Sequence, residues 1–274
     1  MTFSQLQDVL NNIEKPQRLN HREKLASYAL EILSSNPLKR SAMGMYVLGD
    51  RLEVWYFDRL GCLGSETLAL HQEAHFRLFV KTVAHLVNSS AKTLGFEPSL
   101  KFDDWPHSLD SCTLEIPVNE NGATSAPVIA AVASDEPLYR SRCLGGRGTS
   151  VLPVRLSSVT GATFVMKIGW QASTRMSEAD FYKKATGVNG LPNIECSATI
   201  VNSLRSGVRE RLEHNLPPDS NSNLPEDRSL RVLIMTERYY RLSETIGSEC
   251  LFHEPKRLVG VMKSLLSGKS SAMR

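Results

Sequence analysis

The tightest constraint on this chain is the order of its segments from Tyr139 onward. Three runs rich in β-formers follow one another, Tyr139 to Leu144, Val151 to Leu156 and Ala162 to Ile168, with glycine-containing turns between them. The first turn, Leu144-Gly145-Gly146-Arg147-Gly148-Thr149, contains a Gly-x-Gly. Glycine admits positive φ and lets backbone N–H groups come close to phosphate oxygens. A tight hairpin demands the same residues, so Gly146 and Gly148 support both readings. No Gly-Lys-Ser/Thr follows, which excludes a Walker-type loop. The third run carries Lys167, 19 residues after Gly148. Alternation along a strand puts Lys167 on the face opposite Met166 and Ile168. A lysine so placed either holds nucleotide phosphates or snorkels from a half-exposed strand. Ser177 then reads as the cap of a helix to about Ala185. Glu178, just after that cap, is the only glutamate between Lys167 and Ile194. It either pairs with the lysine or complements the helix dipole.

Two further strands are expected, Ile194 to Val201 and Leu230 to Met235, with a surface loop from Asn215 to Arg228. Pro255 suits the first turn of a final helix reaching about Leu266, and 269–274 reads as a tail. Upstream, Leu6, Val9, Leu10 and Ile13 mark a short amphipathic helix that Pro16 ends. A second helix is expected from His21 to Ser34. Met43 to Leu48 and Leu52 to Phe57 read as a hairpin closed by Gly49-Asp50. A third helix, from about Gln72 to Lys92, has an apolar stripe of Phe76, Phe79, Val80, Val83, Leu86 and Val87. Prolines, asparagines and serines between Phe102 and Pro137 suggest a loop-rich connection with one or two short strands, and a domain boundary. The fold class is therefore α+β. An extension over 1–102 and a connection over 103–137 precede a lobe over 138–268.

Composition removes several function classes. The 274 residues are 41% hydrophobic and 22% charged, ordinary globular usage. A net charge of +3 gives no clustered basic face, so nucleic acid is not an expected partner. Five scattered cysteines with no C-x-x-C argue against a disulfide framework or a zinc site, and for a reducing compartment. There is no apolar signal core and no membrane-spanning run, so the expected location is intracellular, cytoplasmic or nuclear. His71 and His75 have metal-ligand spacing, but Gln72 stands where the zincin pattern needs glutamate, and a solvated helix face explains them. A solvated face also explains the basic cluster Arg205, Arg209 and Arg211. Asp103-Asp104 lies in a loop with no visible partner, and no Gly-x-Ser-x-Gly elbow is present. No metal site and no catalytic residue is assigned from these patterns.

Two blocks carry a family resemblance. The first is Arg51-Leu-Glu-Val-Trp55-Tyr-Phe57-Asp58-Arg59-Leu-Gly61, followed by Leu94-Gly95-Phe96-Glu-Pro98. The second is Gly146-Arg147-Gly148-Thr149, then Val165-Met-Lys167-Ile-Gly-Trp170, then Glu178. Together they resemble the fungal-type protein kinase family over roughly residues 20 to 268. The first block is the more telling, because ordinary kinases lack it. The resemblance implies an N-terminal extension of helices and a hairpin, then a kinase-like lobe. That lobe would have an antiparallel sheet and one helix bearing the glutamate, and would end in the first helix after the hinge. It implies ATP with Mg2+ as ligand. Gly146 and Gly148 would cradle phosphate, Lys167 would bind the α- and β-phosphates, and Glu178 would orient Lys167.

The sequence departs from the family pattern near its end. It contains no His-Arg-Asp and no Asp-Phe-Gly, and His253 is followed by Glu254-Pro255. Phosphoryl transfer relies on positioning and on charge neutralisation by metal ions and nearby side chains. The expectation is a truncated, Ser/Thr kinase-like chain that is ATP-binding in design and catalytically silent as given. The other reading is a non-catalytic interaction module, a pseudokinase fragment. It would dock a protein partner on the lobe face left exposed.

Overall fold

A computed structural model describes residues 21–102, 112–117, 119–120, 123–124, 126–134, 136–185, 188, 191–216 and 224–236. The helices expected at Leu6–Ile13 and Pro255–Leu266, and Asp103-Asp104, lie outside the described residues. The described residues begin with α1 (His21–Ser35), then the hairpin β1 (Ser41–Leu48) and β2 (Arg51–Asp58). Gly49, at φ 60°, takes the left-handed position that closes this hairpin. A second tight turn, Arg59-Leu60, leads into β3 (Gly61–Gly64), and β4 (Leu68–Ala69) also pairs with β2. Helix α2 (Glu73–Val87) follows. It carries its apolar stripe as expected, yet none of its residues is buried, and Phe76, Val80 and Val87 are at least 48% exposed.

Among the described residues the second sheet has eight strands. In chain order they are β5 (Leu100–Phe102), β6 (Cys112–Ile116), β9 (Val128–Val132), β10 (Tyr139–Arg140), β11 (Ser150–Leu156), β12 (Phe164–Ala172), β13 (Ile194–Val201) and β14 (Arg228–Met235). Between β6 and β9 lies a small ladder of β7 (Asn119–Glu120) and β8 (Ala123–Thr124). The spatial order is β13-β14-β12-β11-β9-β6-β5, with β10 also on β11, and every pairing is antiparallel. Two short helices complete the described elements, α3 (Glu178–Lys184) and α4 (Val208–His214).

Between Phe102 and Pro137, where a loop-rich connection with one or two short strands is expected, the described residues hold the short strands β6 and β9 and the two-residue β7 and β8. β6 and β9 are full members of the large sheet and extend it beyond the glycine turn. Their inward residues Cys112, Leu114, Ile116, Ala130 and Val132 alternate with less buried ones, the period of a strand with one face covered. Turn residues dominate that stretch of sequence, and β6 and β9 pair with each other across it, while β9 also pairs with β11.

The main core lies on one face of the large sheet. Leu152, Val154, Met166, Ile168, Trp170, Leu230 and Ile234 are all fully buried there. The alternation read for Lys167 is found, since Met166 and Ile168 point into this core. The same cluster includes Leu38 and Leu60 from the first hundred residues. A second cluster joins α1 to the hairpin through Ala26, Ala29, Leu33, Ala42 and Phe57, and Leu144 from the stem of the glycine turn completes it.

Candidate functional site

The other face of the large sheet forms the floor of a cleft of about 1210 Å3. Ligand pockets commonly run from about 300 to 1,000 Å3, so a nucleotide-sized molecule fits. Strand register explains what the floor presents. Val151 on β11 pairs with Lys167 on β12, and Lys167 pairs with Leu233 on β14, so these three form one row across the sheet. Two residues along, Val165 pairs with Met235. All five line the cleft, joined by Leu138. Val165, Leu233 and Met235 also pack with Ala179 of α3. The result is an apolar slot beside a single ammonium group.

Helix α3 delivers the counter-charge. Ser177 caps it, its hydroxyl oxygen accepting from the Asp180 N–H at 3.1 Å. Glu178 is the first helical residue, and packing of Ala179 on the sheet turns that end of the helix toward β12. Lys167 Nζ donates to Glu178 Oε1 at 2.6 Å. The two side chains are 34% and 29% exposed, so the pair stands at the cleft wall rather than in the core. Of the two readings of Glu178, ion pair or dipole partner, both hold at once, because a first-turn glutamate long enough to reach the strand does both. An ammonium has three N–H donors, so pairing with Glu178 leaves capacity for phosphate oxygens.

The glycine turn lies beside this pair. The strand before it is shorter than expected, since β10 ends at Arg140 and the backbone then leaves the sheet. The turn returns at Thr149, whose carbonyl accepts from the Ser141 N–H at 2.9 Å. Gly146 and Gly148 have φ of 92° and 49°, both in the left-handed region that favours glycine. The cleft wall from this turn consists of Arg147 and Thr149 rather than the glycines. Gly146 donates its N–H to the Arg59 carbonyl at 3.0 Å, and Gly148 faces the Arg59 guanidinium. The Arg147 carbonyl accepts from the Trp170 N–H at 2.7 Å, which ties the turn to the strand that bears Lys167. A side chain at Gly169 would come within 3.1 Å of Thr149 Oγ1, so glycine there gives the turn its room.

Two expectations about other clusters change. Arg209 is not on a solvated face. It is 2% exposed, and its Nη1 donates to Asp58 Oδ1 at 2.6 Å while its Nε donates to Glu213 at 2.7 Å. Glu213 also pairs with Arg205 at 2.9 Å. Burial pulls the Arg209 guanidinium down, but the Asp58 and Glu213 carboxylates outweigh it and hold it above its ordinary value. Only long-range contact could reveal this, since Asp58 and Arg209 are 151 residues apart. His71 precedes the helix, which Gln72 caps, and meets Asp50 at 2.7 Å, while His75 Nδ1 accepts from the Ala69 N–H at 3.1 Å. The two histidines are thus used locally. Among the described residues no group of three or more His, Cys, Asp or Glu could hold a metal.

Sequence reading missed the apolar slot. Val151 stands where a third glycine would fall, and Val165 lies two residues before Lys167. Strand alternation alone could have placed Val165 on the lysine's face, but Met235 and Leu138 needed the sheet.

This sheet, with its lysine–glutamate pair at a nucleotide-sized cleft, is consistent with a kinase-like fold. A family model described as fungal protein kinase matches residues 4–257. The chain belongs to the fungal protein kinase family, as its two sequence blocks suggested. No curated protein and no solved structure matches it. No helix among the described residues is long and apolar enough to cross a membrane.

Proposed function

We propose that the cleft binds ATP. The observation that carries this reading is the Lys167–Glu178 pair at 2.6 Å, standing at the polar end of a slot walled by Val151, Val165 and Met235. A purine ring is flat and largely apolar on its faces, which suits two β-branched walls and a flexible methionine. Lys167 meets the α- and β-phosphates, Glu178 holds its ammonium in place, and Arg147 at the tip of the glycine turn adds a second positive charge. Gly146 and Gly148 shape the backbone that carries Arg147 and Thr149 to the phosphates. The apolar slot and the lysine suit the nucleotide, but the described donor set does not suit Mg2+, since the cleft carboxylate Glu178 is engaged by Lys167. No step is assigned to the metal.

The 274 residues contain neither His-Arg-Asp nor Asp-Phe-Gly, so the activity proposed for them is nucleotide binding without phosphoryl transfer. Serine/threonine kinase activity would require a chain that supplies both motifs. Titration of the full chain with a fluorescent ATP analogue, wild type against Lys167→Ala, tests the reading. Saturable binding that the variant loses supports it, and equal or absent binding in both sinks it.

A second reading, a non-catalytic interaction module, draws on helix α2. Its apolar side chains Phe76, Val80 and Val87 are exposed where a folded chain usually hides such a stripe. Under that reading Phe76→Ser with Val80→Ser would raise solubility and leave nucleotide titration unchanged.

A further inference from the structure

The turn between β2 and β3 reaches across to the glycine turn, and Asp58 and Arg59 at its start are buried charged residues. Arg59 is 2% exposed, and a buried arginine normally faces a carboxylate. Its fork instead donates to two main-chain oxygens. Nη2 reaches the Leu33 carbonyl, in the last turn of α1, at 2.5 Å, and Nη1 reaches the Cys143 carbonyl at the stem of the glycine turn. The last four carbonyls of a helix lack intrahelical partners and carry partial negative charge. Burial draws the Arg59 guanidinium below its ordinary value, and neighbouring Asp58 acts against that.

Four contacts then converge on residues 143–148. The Cys143 carbonyl accepts from Arg59. Leu144 fills the core between α1 and the hairpin. The Gly146 N–H donates to the Arg59 carbonyl at 3.0 Å. At Gly148 a Cβ would lie 2.5 Å from the Arg59 Cζ, so the guanidinium plane lies flush against the backbone there. Arg59 is itself held from behind. Asp58 Oδ1 accepts from the Leu60 N–H at 2.7 Å, and Arg209 clamps the same oxygen.

We infer that Arg59 is a positioning residue for nucleotide binding. It fixes the glycine turn from the side away from the cleft, and so places Arg147 and Thr149, which flank Gly148, against the ligand. The extension then acts as a built-in brace for the nucleotide site. This inference rests on the ATP reading for its ligand, but not for the bracing of the turn. The planar fork is essential to it. A lysine keeps the charge, yet its point-like ammonium cannot hold two carbonyls in fixed directions while lying flat on Gly148.

Two measurements on the full chain test it, with Arg59→Lys and Gly148→Ala compared to wild type. Gly148→Ala keeps the arginine but places a methyl 2.5 Å from its Cζ, so it disturbs the same contact from the side of the turn and guards against a fold failure of Arg59→Lys. The first measurement is hydrogen exchange without nucleotide. Faster exchange is expected over 141–149 and at Trp170 in both variants, with β14 unchanged. The second is titration with the ATP analogue, where affinity should fall about tenfold or more, the loss expected when one charge-assisted contact is misplaced. Unchanged exchange in both variants overturns the brace. Faster exchange with wild-type affinity overturns the positioning role and leaves a structural contact. If the wild type binds no nucleotide, the ATP reading falls, and the positioning role falls with it. Exchange then decides only whether Arg59 braces the turn.

Discussion

Two ion pairs in this chain share one separation and differ in surroundings. Asp58–Arg209 and Lys167–Glu178 both close at 2.6 Å. The first pair is 0% and 3% exposed, lies behind the glycine turn and has Glu213 as a third member. The second is about a third exposed and faces the cleft. Distance therefore does not distinguish the two pairs, whereas burial does. A charge removed from the buried pair strands its partner away from water, a cost of several kcal/mol. The exposed pair contributes about 0–1 kcal/mol to stability, so its lysine can share its donors with an incoming anion. The buried pair ties the end of β2 to α4, whereas the exposed pair ties β12 to α3 at the cleft wall.

The contrast breaks most visibly at Asp58. Asp58→Ala leaves the Arg209 guanidinium buried against one remaining carboxylate, and should cost about 3–5 kcal/mol in urea unfolding. A loss near that of an exposed pair would remove the distinction. Next in size is Leu144→Ala, which opens the core shared by α1, the hairpin and the turn. It should cost about 2–5 kcal/mol, and hydrogen exchange should quicken in α1 as well as in the turn. Lys167→Ala sharpens the comparison from the other side. Its unfolding midpoint should stay within the equivalent of about 1 kcal/mol of wild type, while nucleotide affinity falls at least about tenfold. Glu178→Gln should be milder still, keeping an acceptor for Lys167 and weakening nucleotide binding by only about a few fold, with stability moved by less than about 0.5 kcal/mol.

What could be read from sequence followed the range of the interaction. The Gly49-Asp50 hairpin, the helix from His21 and the Ser177 cap were legible because each depends on residues within a few positions. Lys167's outward face was legible from strand alternation, while its pairing with Glu178 was one of two readings left open until α3 was placed beside β12. The Phe57-Asp58-Arg59 block was legible as a family mark but not in its role. Its partners are Cys143, Gly146 and Arg209, and no local pattern announces them. Arg209 is the clearest case. Among nearby arginines it looks like a solvated residue, and only the fold brings Asp58 beneath it. Strands β6 and β9 were legible only as one or two short strands, because the turn residues around them give the stronger local signal and their place in the large sheet rests on the pairing of β9 with β11.

The central claim is that the half-exposed lysine serves a nucleotide while the buried pair serves the fold. It is tested most directly by measuring ATP-analogue affinity and unfolding free energy together, on the full chain, for wild type and Lys167→Ala. The account predicts saturable wild-type binding, an affinity loss of at least about tenfold in the variant and a nearly unchanged unfolding free energy. Equal affinities would contradict it, as would a large loss of stability without a change in binding.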